Sequence, residues 1–245
     1  MIFASITDPG KVRDHNEDSV IALKNDNDEY LLAIADGMGG HRSGEVASLI
    51  AVSNLSKRFE ERKTVGNKEE AIKFLQDTVS ESNYLIYEYT KKNKESIGMG
   101  TTLVIALKTK DFLLFGNIGD SSGYVYKNKK LHKITVDHTL VGLMVRSGEL
   151  TEEMAKIHPS KHVLMRALGA ATTVEMDIFN IETDVDGVLL CSDGLTNMLN
   201  DAQIEKVLEE KSPIENKMNK LVNKCNNRGG NDNISVAFLV KEVAK

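Results

Sequence analysis

The chain has 245 residues, 41% hydrophobic and 27% charged, with a formal net charge of -5 from 31 basic and 36 acidic side chains. That length fits one large domain, whose core needs neither disulfides nor a structural metal. The acidic balance gives no support to a nucleic-acid partner or an anionic membrane surface, both of which select basic faces.

The opening "MIFASITDPGKVRDHNED" has no basic leader and no long apolar core, so no signal peptide is expected. No apolar run reaches membrane-spanning length, so no membrane insertion is expected either. Prolines occur only at Pro9, Pro159 and Pro213, and no Pro/Gly/Ser-rich linker divides the chain. A single domain over 1–245 is expected, acting as a monomer. Strands are predicted at 2–5, 19–24 and 30–35, the last two joined by the polar turn "KNDND". A helix follows from about residue 44, with Val46, Leu49 and Ile50 on one face. A longer one covers about 68–92, with Ala71, Phe74, Leu75, Val79 and Ile86 inward. Strands then come at 101–108 and 112–118, joined by "KTKD", and at 123–127, 130–135, 174–180 and 187–191. Shorter helical stretches are expected between Thr139 and Ala167. A third helix carries Ile204, Val207 and Leu208. A fourth starts at Pro213, with Ser212 as N-cap, and turns Ile214, Met218, Leu221, Val222 and Cys225 inward. A final strand, 234–241, alternates Ile234, Val236, Phe238 and Val240 against Ser235, Ala237 and Leu239. Cys191 and Cys225 fall in apolar patterns and read as buried thiols in a reducing cytoplasm. The tight turns imply antiparallel sheets, and the helices come as two sequential pairs separated by strands. The fold class is therefore α+β: a four-layer α/β/β/α sandwich of two mostly antiparallel sheets flanked by antiparallel helix pairs.

Acids recur at the strand boundaries. Asp36 follows "LLAIA", Asp120 follows "LLFGNIG", Asp193 follows "VLLCS", Asp232 precedes "NISVAFLV", and Glu17 and Asp18 precede "SVIALK". If these boundaries converge at one edge, the carboxylates repel and desolvate one another, which a multivalent cation relieves. A purely oxygen donor set suits Mg²⁺ or Mn²⁺ rather than zinc or copper. Glycines after Asp36 and Asp193 let backbone carbonyls and water approach. Two such ions about 3.5–4 Å apart lower the pKa of a bridging water and clamp a phosphoryl group. Arg13, four residues before Glu17, offers a fork that matches two phosphate oxygens. Its alternative is a surface arginine paired with Asp14 or Glu17.

Other signals are weaker. "NDNDE" lacks the central glycine and distal glutamate of a calcium loop, and "GMGGHRSGE" lacks the GK[ST] end of a Walker loop. "GMGTT" is not a dinucleotide fingerprint, and "HPSKH" carries a proline where a zinc helix needs none. His15, His132 and His162 read as surface or packing residues. His41, in the glycine loop beside Asp36, reads equally as an active-site or a loop residue.

Seven stretches resemble the metal-dependent (type 2C) serine/threonine protein phosphatases, and most closely their compact bacterial branch. They are "VRDHNEDS", "LLAIADGMGGHRSGEVAS", "GMGTTLV", "GNIGDSSGYVY", "TVDHTLVGLMVRSGELTEEMAKIHPSKHVLMRALG", "LLCSDGLTNML" and "GGNDNISVAFLV". They occur in the family's order over nearly the whole chain. The resemblance implies hydrolysis of phosphoserine and phosphothreonine in proteins by a metal-activated water, with two Mn²⁺ or Mg²⁺ ions. Asp36 would bridge both. Asp193 and Asp232 would serve the first, and the Gly37 carbonyl with Glu17 or Asp18, through water, the second. Asp120 and Asp193 match the ligands of a third, weakly held ion. Arg13 matches the arginine that holds the substrate phosphate. Residues of about 139–168 match a mobile flap beside the site. Met38 stands where animal members have a histidine regarded as a candidate general acid, and His41 matches the loop histidine of the bacterial branch. The implied partners are phosphorylated proteins and a cognate serine/threonine kinase whose signal the enzyme resets. A non-enzymatic binding module would be marked by a lost metal aspartate, and none is lost. The second rival is a two-metal nuclease or a small-molecule phosphatase: a nuclease would show a basic track, and no long one is present, whereas activity on small phosphoesters alone would decide little.

Overall fold

The structure, a computed structural model, describes residues 1–40 and 43–242. Strands β1 (Ile2–Asp8), β2 (Asp18–Lys24) and β3 (Tyr30–Met38) come first, then helices α1 (Ser43–Glu60) and α2 (Lys68–Lys92). The central block is β4 (Gly100–Thr101), β5 (Leu103–Lys108), β6 (Leu113–Ile118), β7 (Ser122–Lys127) and β8 (Lys130–Lys133). Two short helices, α3 (Leu140–Arg146) and α4 (Glu152–Ile157), occupy the flap segment. The rest is β9 (Asp177–Ile181), β10 (Gly187–Cys191), α5 (Asp193–Thr196), α6 (Asp201–Leu208), α7 (Ile214–Asn227) and β11 (Ile234–Val240).

One sheet runs β1-β11-β10-β7-β8 and the other β2-β3-β5-β6-β9, with β4 on the far part of β3. Every pairing between these strands is antiparallel. The period of two along each strand sets the layers. Leu31, Ala33 and Ala35 of β3 pack on Ala47 and Leu55 of α1 and on Phe74 and Leu75 of α2. The alternate residues Tyr30, Leu32 and Ile34 face Val188, Leu190, Ala237 and Leu239 of the second sheet. That sheet's outer face, with Leu189, Val236 and Phe238, packs on Ile204 and Val207 of α6 and Met218 and Leu221 of α7. The layers are helix pair, sheet, sheet, helix pair, as the sequence predicted. Strands buried on both faces read as continuous apolar runs, which is why "LLAIA" shows no polar alternation.

Several boundaries differ, each for a tertiary reason. β3 was expected to stop at residue 35 but continues to Met38, because Gly37 and Met38 pair with Thr101 and Gly100. Asp36 therefore lies inside a strand. The expected strand 101–108 breaks at Thr102, because Thr101 bridges to Leu168 at the flap's end. β1 runs to Asp8, drawn out by its pairing with β11 down to Ile234. The strand expected at 174–180 is displaced to Asp177–Ile181, where it pairs with β6. Ser212 is not an N-cap: α7 begins at Ile214 after Pro213, with no side-chain cap. Ser212 instead donates its backbone N–H to the Glu210 carbonyl and closes the turn after α6.

The interface between the sheets holds the site's supports in place, so its packing is testable. Leu190 is fully buried there. Leu190→Ala is expected to lower the unfolding free energy by about 2–5 kcal/mol through lost burial and an unfilled cavity. Urea denaturation with a shifted midpoint and an unchanged slope checks this.

Candidate active site

Register brings the first two acids together: Asp18 stands directly opposite Asp36 in the β2–β3 pair. Asp18 is buried and reaches across to the second sheet. Ser192 Oγ donates to its Oδ2 at 2.8 Å, and the Ser235 N–H donates to that Oγ at 3.0 Å. Its other oxygen, Oδ1, is buried without a hydrogen-bond partner. Burial pushes the Asp18 carboxyl up to about 7, against the pull of Ser235 and Ser192.

Asp36 is fixed through its backbone. Its N–H donates to Thr102 Oγ1 at 2.9 Å, and its carbonyl accepts from the Thr102 N–H and from Thr101 Oγ1, each at 2.9 Å. The Asp36 carboxyl is held well above the usual range by burial first, then by the charges of Asp18, Asp193, Asp120 and Asp232. All of these carboxylates thus lie within electrostatic reach of Asp36. Asp193 opens α5 and is raised by burial and then by Asp232. Asn197 Nδ2 donates to its Oδ2 at 3.0 Å, and His162 Nδ1 stands 3.9 Å from the same oxygen. Burial, then Asp193, pushes Asp120 up to about 7. Glu17, partly buried, is raised chiefly by burial. Arg13 grips Asp232 with both arms of its fork: Nε lies 2.9 Å from Oδ1 and Nη2 2.9 Å from Oδ2. This partner is neither Asp14 nor Glu17, the pairings expected of a surface arginine.

Close approach explains two of the glycines. A Cβ on Gly37 would run into the Gly44 and Glu17 carbonyls, and one on Gly194 into the Asn233 carbonyl. Asn233 ties these segments together. Its Oδ1 accepts from the Glu17 N–H at 2.8 Å, and its Nδ2 donates to the Pro9 and His15 carbonyls, each at 2.9 Å. One side chain therefore clamps the loop bearing Arg13 to the turn bearing Asp232.

A second clamp holds the flap. His138 is buried; its Nδ1 accepts from the Gly119 N–H at 3.1 Å, which places the ring proton on Nε2, 3.0 Å from Asp177 Oδ2. Arg166 Nη1 donates to Asp177 Oδ1 at 2.6 Å. Burial raises Asp177, but the hydrogen bonds from His138 and Arg166 outweigh it and leave the carboxyl below its ordinary value.

The donor set fits hard divalent cations: carboxylate oxygens, one of them buried and unpartnered at Asp18, around an Asp36 whose carboxyl is held above its ordinary range by burial and by neighbouring charges. Among the described residues no three acidic or histidine side chains are already drawn into a shell that could hold a metal ion. Repulsion among the carboxylates and the Arg13–Asp232 ion pair oppose such closure.

A family model described as Protein phosphatase 2C matches residues 11–236. The chain belongs to the protein phosphatase 2C family. It is 40% identical over 240 residues to the serine/threonine phosphatase stp of Listeria monocytogenes serotype 4b, covering 98% of this chain and 95% of that one. It is 32% identical over 250 residues to the protein phosphatase PhpP of Streptococcus pneumoniae serotype 2, covering 98% and 97%. Among solved structures, the S. agalactiae serine/threonine phosphatase superposes with a TM-score of 0.92 at 34% identity, over 98% of this chain and 99% of that one. The catalytic domain of the serine/threonine phosphatase PstP, solved in complex with two manganese ions, gives 0.85 at 34% identity, over 97% and 96%. As a protein phosphatase 2C, the protein is an enzyme whose family setting is divalent-metal chemistry.

Within this phosphatase the structure gathers Arg13, Glu17, Asp18, Asp36, Asp120, Asp193 and Asp232 into one electrostatic neighbourhood. Gly37 continues the strand from Asp36. His41 lies outside the described residues. His162, read from sequence as surface or packing, is exposed and also stands beside Asp193. Asn233, Thr102 and His138 were missed. Asn233 had one signal, its place in "GGNDN" next to Asp232.

The raised carboxyls predict a pH dependence. Asp18 and Asp120 hold their protons in the fold to about pH 7 but lose them near pH 4 when unfolded. The metal-free fold therefore binds more protons than the unfolded chain between those values, and these groups lower its stability as pH rises through that window. Divalent ions need the ionised carboxylates, so their stabilisation grows over the same range. Thermal melts are expected to show a larger Tm gain from Mn²⁺ at pH 7.5 than at pH 5. Equal gains at both would remove these carboxyls from the metal site.

Proposed function

We propose that this protein phosphatase hydrolyses phosphoserine and phosphothreonine in proteins, with the carboxylates around Asp36 as its metal site. The supporting observation is the placement of Asp36, partly buried, among Asp18, Asp120, Asp193 and Asp232, an arrangement of like charges that costs stability and serves no packing purpose. Asp36, Asp193 and Asp232 would hold one Mg²⁺ or Mn²⁺ ion. Asp36 would share a second with the Gly37 carbonyl and with Glu17 or Asp18, and Asp120 with Asp193 would hold a weaker third. Bound there, such ions supply an activated water and Lewis-acid neutralisation of phosphoryl charge.

The chain's own groups do the rest. Arg13 is half-exposed at the rim, with its fork spent on Asp232. A phosphate dianion offers that fork the same two-oxygen geometry with more charge, so substrate binding moves Arg13 to the phosphate and frees Asp232 for its ligand role. Thr102 fixes the position of Asp36 from the backbone, so the carboxylate keeps its place while its neighbours rearrange. The substrates are phosphorylated proteins. A serine/threonine kinase acting on the same proteins in the cytoplasm is the implied counterpart, with the phosphatase monomeric. No helix among the described residues is long and apolar enough to cross a membrane.

Two measurements test the reading. Turnover of a phosphothreonine peptide is expected to require Mn²⁺ or Mg²⁺, to stop in EDTA, and to fall by orders of magnitude in Asp36→Asn. Full activity of metal-free protein would sink the proposal. Arg13→Ala loses a charge-assisted contact of about 1.5–3 kcal/mol, so kcat/KM is expected to fall roughly ten- to hundredfold with the fold intact. Unchanged kinetics would leave Arg13 a structural partner of Asp232 only.

A further inference from the structure

A cavity of about 660 Å³ opens beside the carboxylates, between the flap's end and the approach to β9. Met38, Met165, Ala167, Ala171 and Val174 form the apolar part of its walls, a little over half, and His162, Arg166, Thr173 and Glu175 form the polar part. That volume and lining are typical of a site for a ligand side chain or small ligand. Two observations join it to the catalytic edge. Met38 lies two residues beyond Asp36 on the same strand. His162, which also lines the cavity, stands 3.9 Å from Asp193. Anything seated in the cavity is thus one side chain away from the metal carboxylates.

The charges around it are unequal. Arg166 reaches the lining, but its guanidinium is held by Asp177 at 2.6 Å and by the Glu175 carbonyl at 3.0 Å. Both bonds leave from Nη1, and Asp177, unlike Asp232, has no proposed metal to take over its charge, so Arg166 keeps its partner where Arg13 would be released. Glu175 lines the cavity and is exposed, with no ion pair among the described residues. A hollow with one apolar wall and an unpaired acid at its rim suits an apolar side chain on that wall and repels an acidic neighbour. Met165, more than half exposed, has apolar surface still to be covered.

We propose that this cavity is a specificity subsite that takes an apolar side chain, such as leucine, close in sequence to the phosphorylated residue of the substrate. The proposal rests on the phosphatase reading and adds to it a sequence preference outside the phosphate. It assigns Met38, Met165, Ala171 and Val174 to recognition of the substrate chain.

The test uses the Mn²⁺-loaded full chain and phosphothreonine peptides on an alanine background, with one leucine moved from position to position on either side. p-Nitrophenyl phosphate, which has no flanking residue, serves as reference. In the wild type, leucine at one position, or at two adjacent ones, is expected to raise kcat/KM about tenfold over alanine, the effect of burying most of one apolar side chain. Ala170→Phe and Ala171→Phe each put a ring into the cavity from an exposed position. Each is expected to cut that preference to about twofold and to lower the ratio of leucine-peptide to p-nitrophenyl phosphate turnover. A wild type indifferent to leucine at every position overturns the subsite, as does a preference that survives both ring variants. Failure to hydrolyse both the peptides and p-nitrophenyl phosphate overturns the phosphatase reading itself, and the subsite with it.

Discussion

Two carboxylates on one rung of an antiparallel ladder repel each other, and burial keeps water from screening them. Asp18 and Asp36 stand in that relation, and Asp193, Asp120 and Asp232 add their charges to the same spot. The surrounding structure is arranged to contain this repulsion, which a bound cation would relieve. Part of the relief is protonation, since Asp18 and Asp120 carry their carboxyls up to about 7. Part is hydrogen bonding, through Ser192 to Asp18 and Asn197 to Asp193. Part is Arg13, which lends Asp232 a guanidinium. These are different solutions because the groups differ in depth. Asp18 lies between the sheets, where only a short hydroxyl reaches it, whereas Asp232 lies at the rim, where a long cation can come from solvent.

The sandwich makes such an assembly affordable. Ser192 directly follows β10 and Ser235 lies in β11 of the same sheet, whereas Asp18 belongs to the other, so the hydrogen bonds that reach Asp18 cross the interface between sheets. They hold only if the apolar packing of Leu190, Ala237 and their partners fixes the separation of the sheets. Stability in the core is in this sense converted into positional accuracy at the edge, where metal ligation tolerates little error.

The layers were legible in the sequence because they follow from period. A period of two in "ISVAFLV" and of 3.6 in the helices leaves few ways to bury the apolar faces. The acids were legible as well, because carboxylates at the ends of apolar runs have no packing reason to be there. Connections between distant segments were not. Nothing in "GGNDN" says that Asn233 reaches Pro9, His15 and Glu17, more than two hundred residues away in the chain. Nothing in "TVDHT" says that His138 sits beside the backbone of Gly119. Polar side chains whose partners are backbone groups elsewhere carry no local pattern, so sequence periodicity is blind to them. Arg13 is the mixed case: its chemistry was readable, but its partner Asp232 depended on the fold. His162 is a surface residue as read, but its nearness to Asp193 depended on the fold in the same way.

His138 also ties the 139–168 segment to the carboxylate centre. Its ring receives the N–H of Gly119, the residue before Asp120, and its carbonyl receives the N–H of Met165 at 2.7 Å. Asp177, held by the same ring, fixes Arg166 in the wall of the cavity. Thr102 completes the circuit, joined to the Asp36 backbone on one side and to Ser121 at 2.8 Å on the other. From Asp36 through Thr102 and Ser121 to Asp120, and through Gly119 and His138 to the flap, polar links and single peptide steps follow without a gap. A displacement of the flap's base cannot leave the turn of Asp120 untouched, because the two share a buried ring with one allowed tautomer. The cavity proposed to receive the substrate chain is thereby kept in register with the carboxylates proposed to hold the metals.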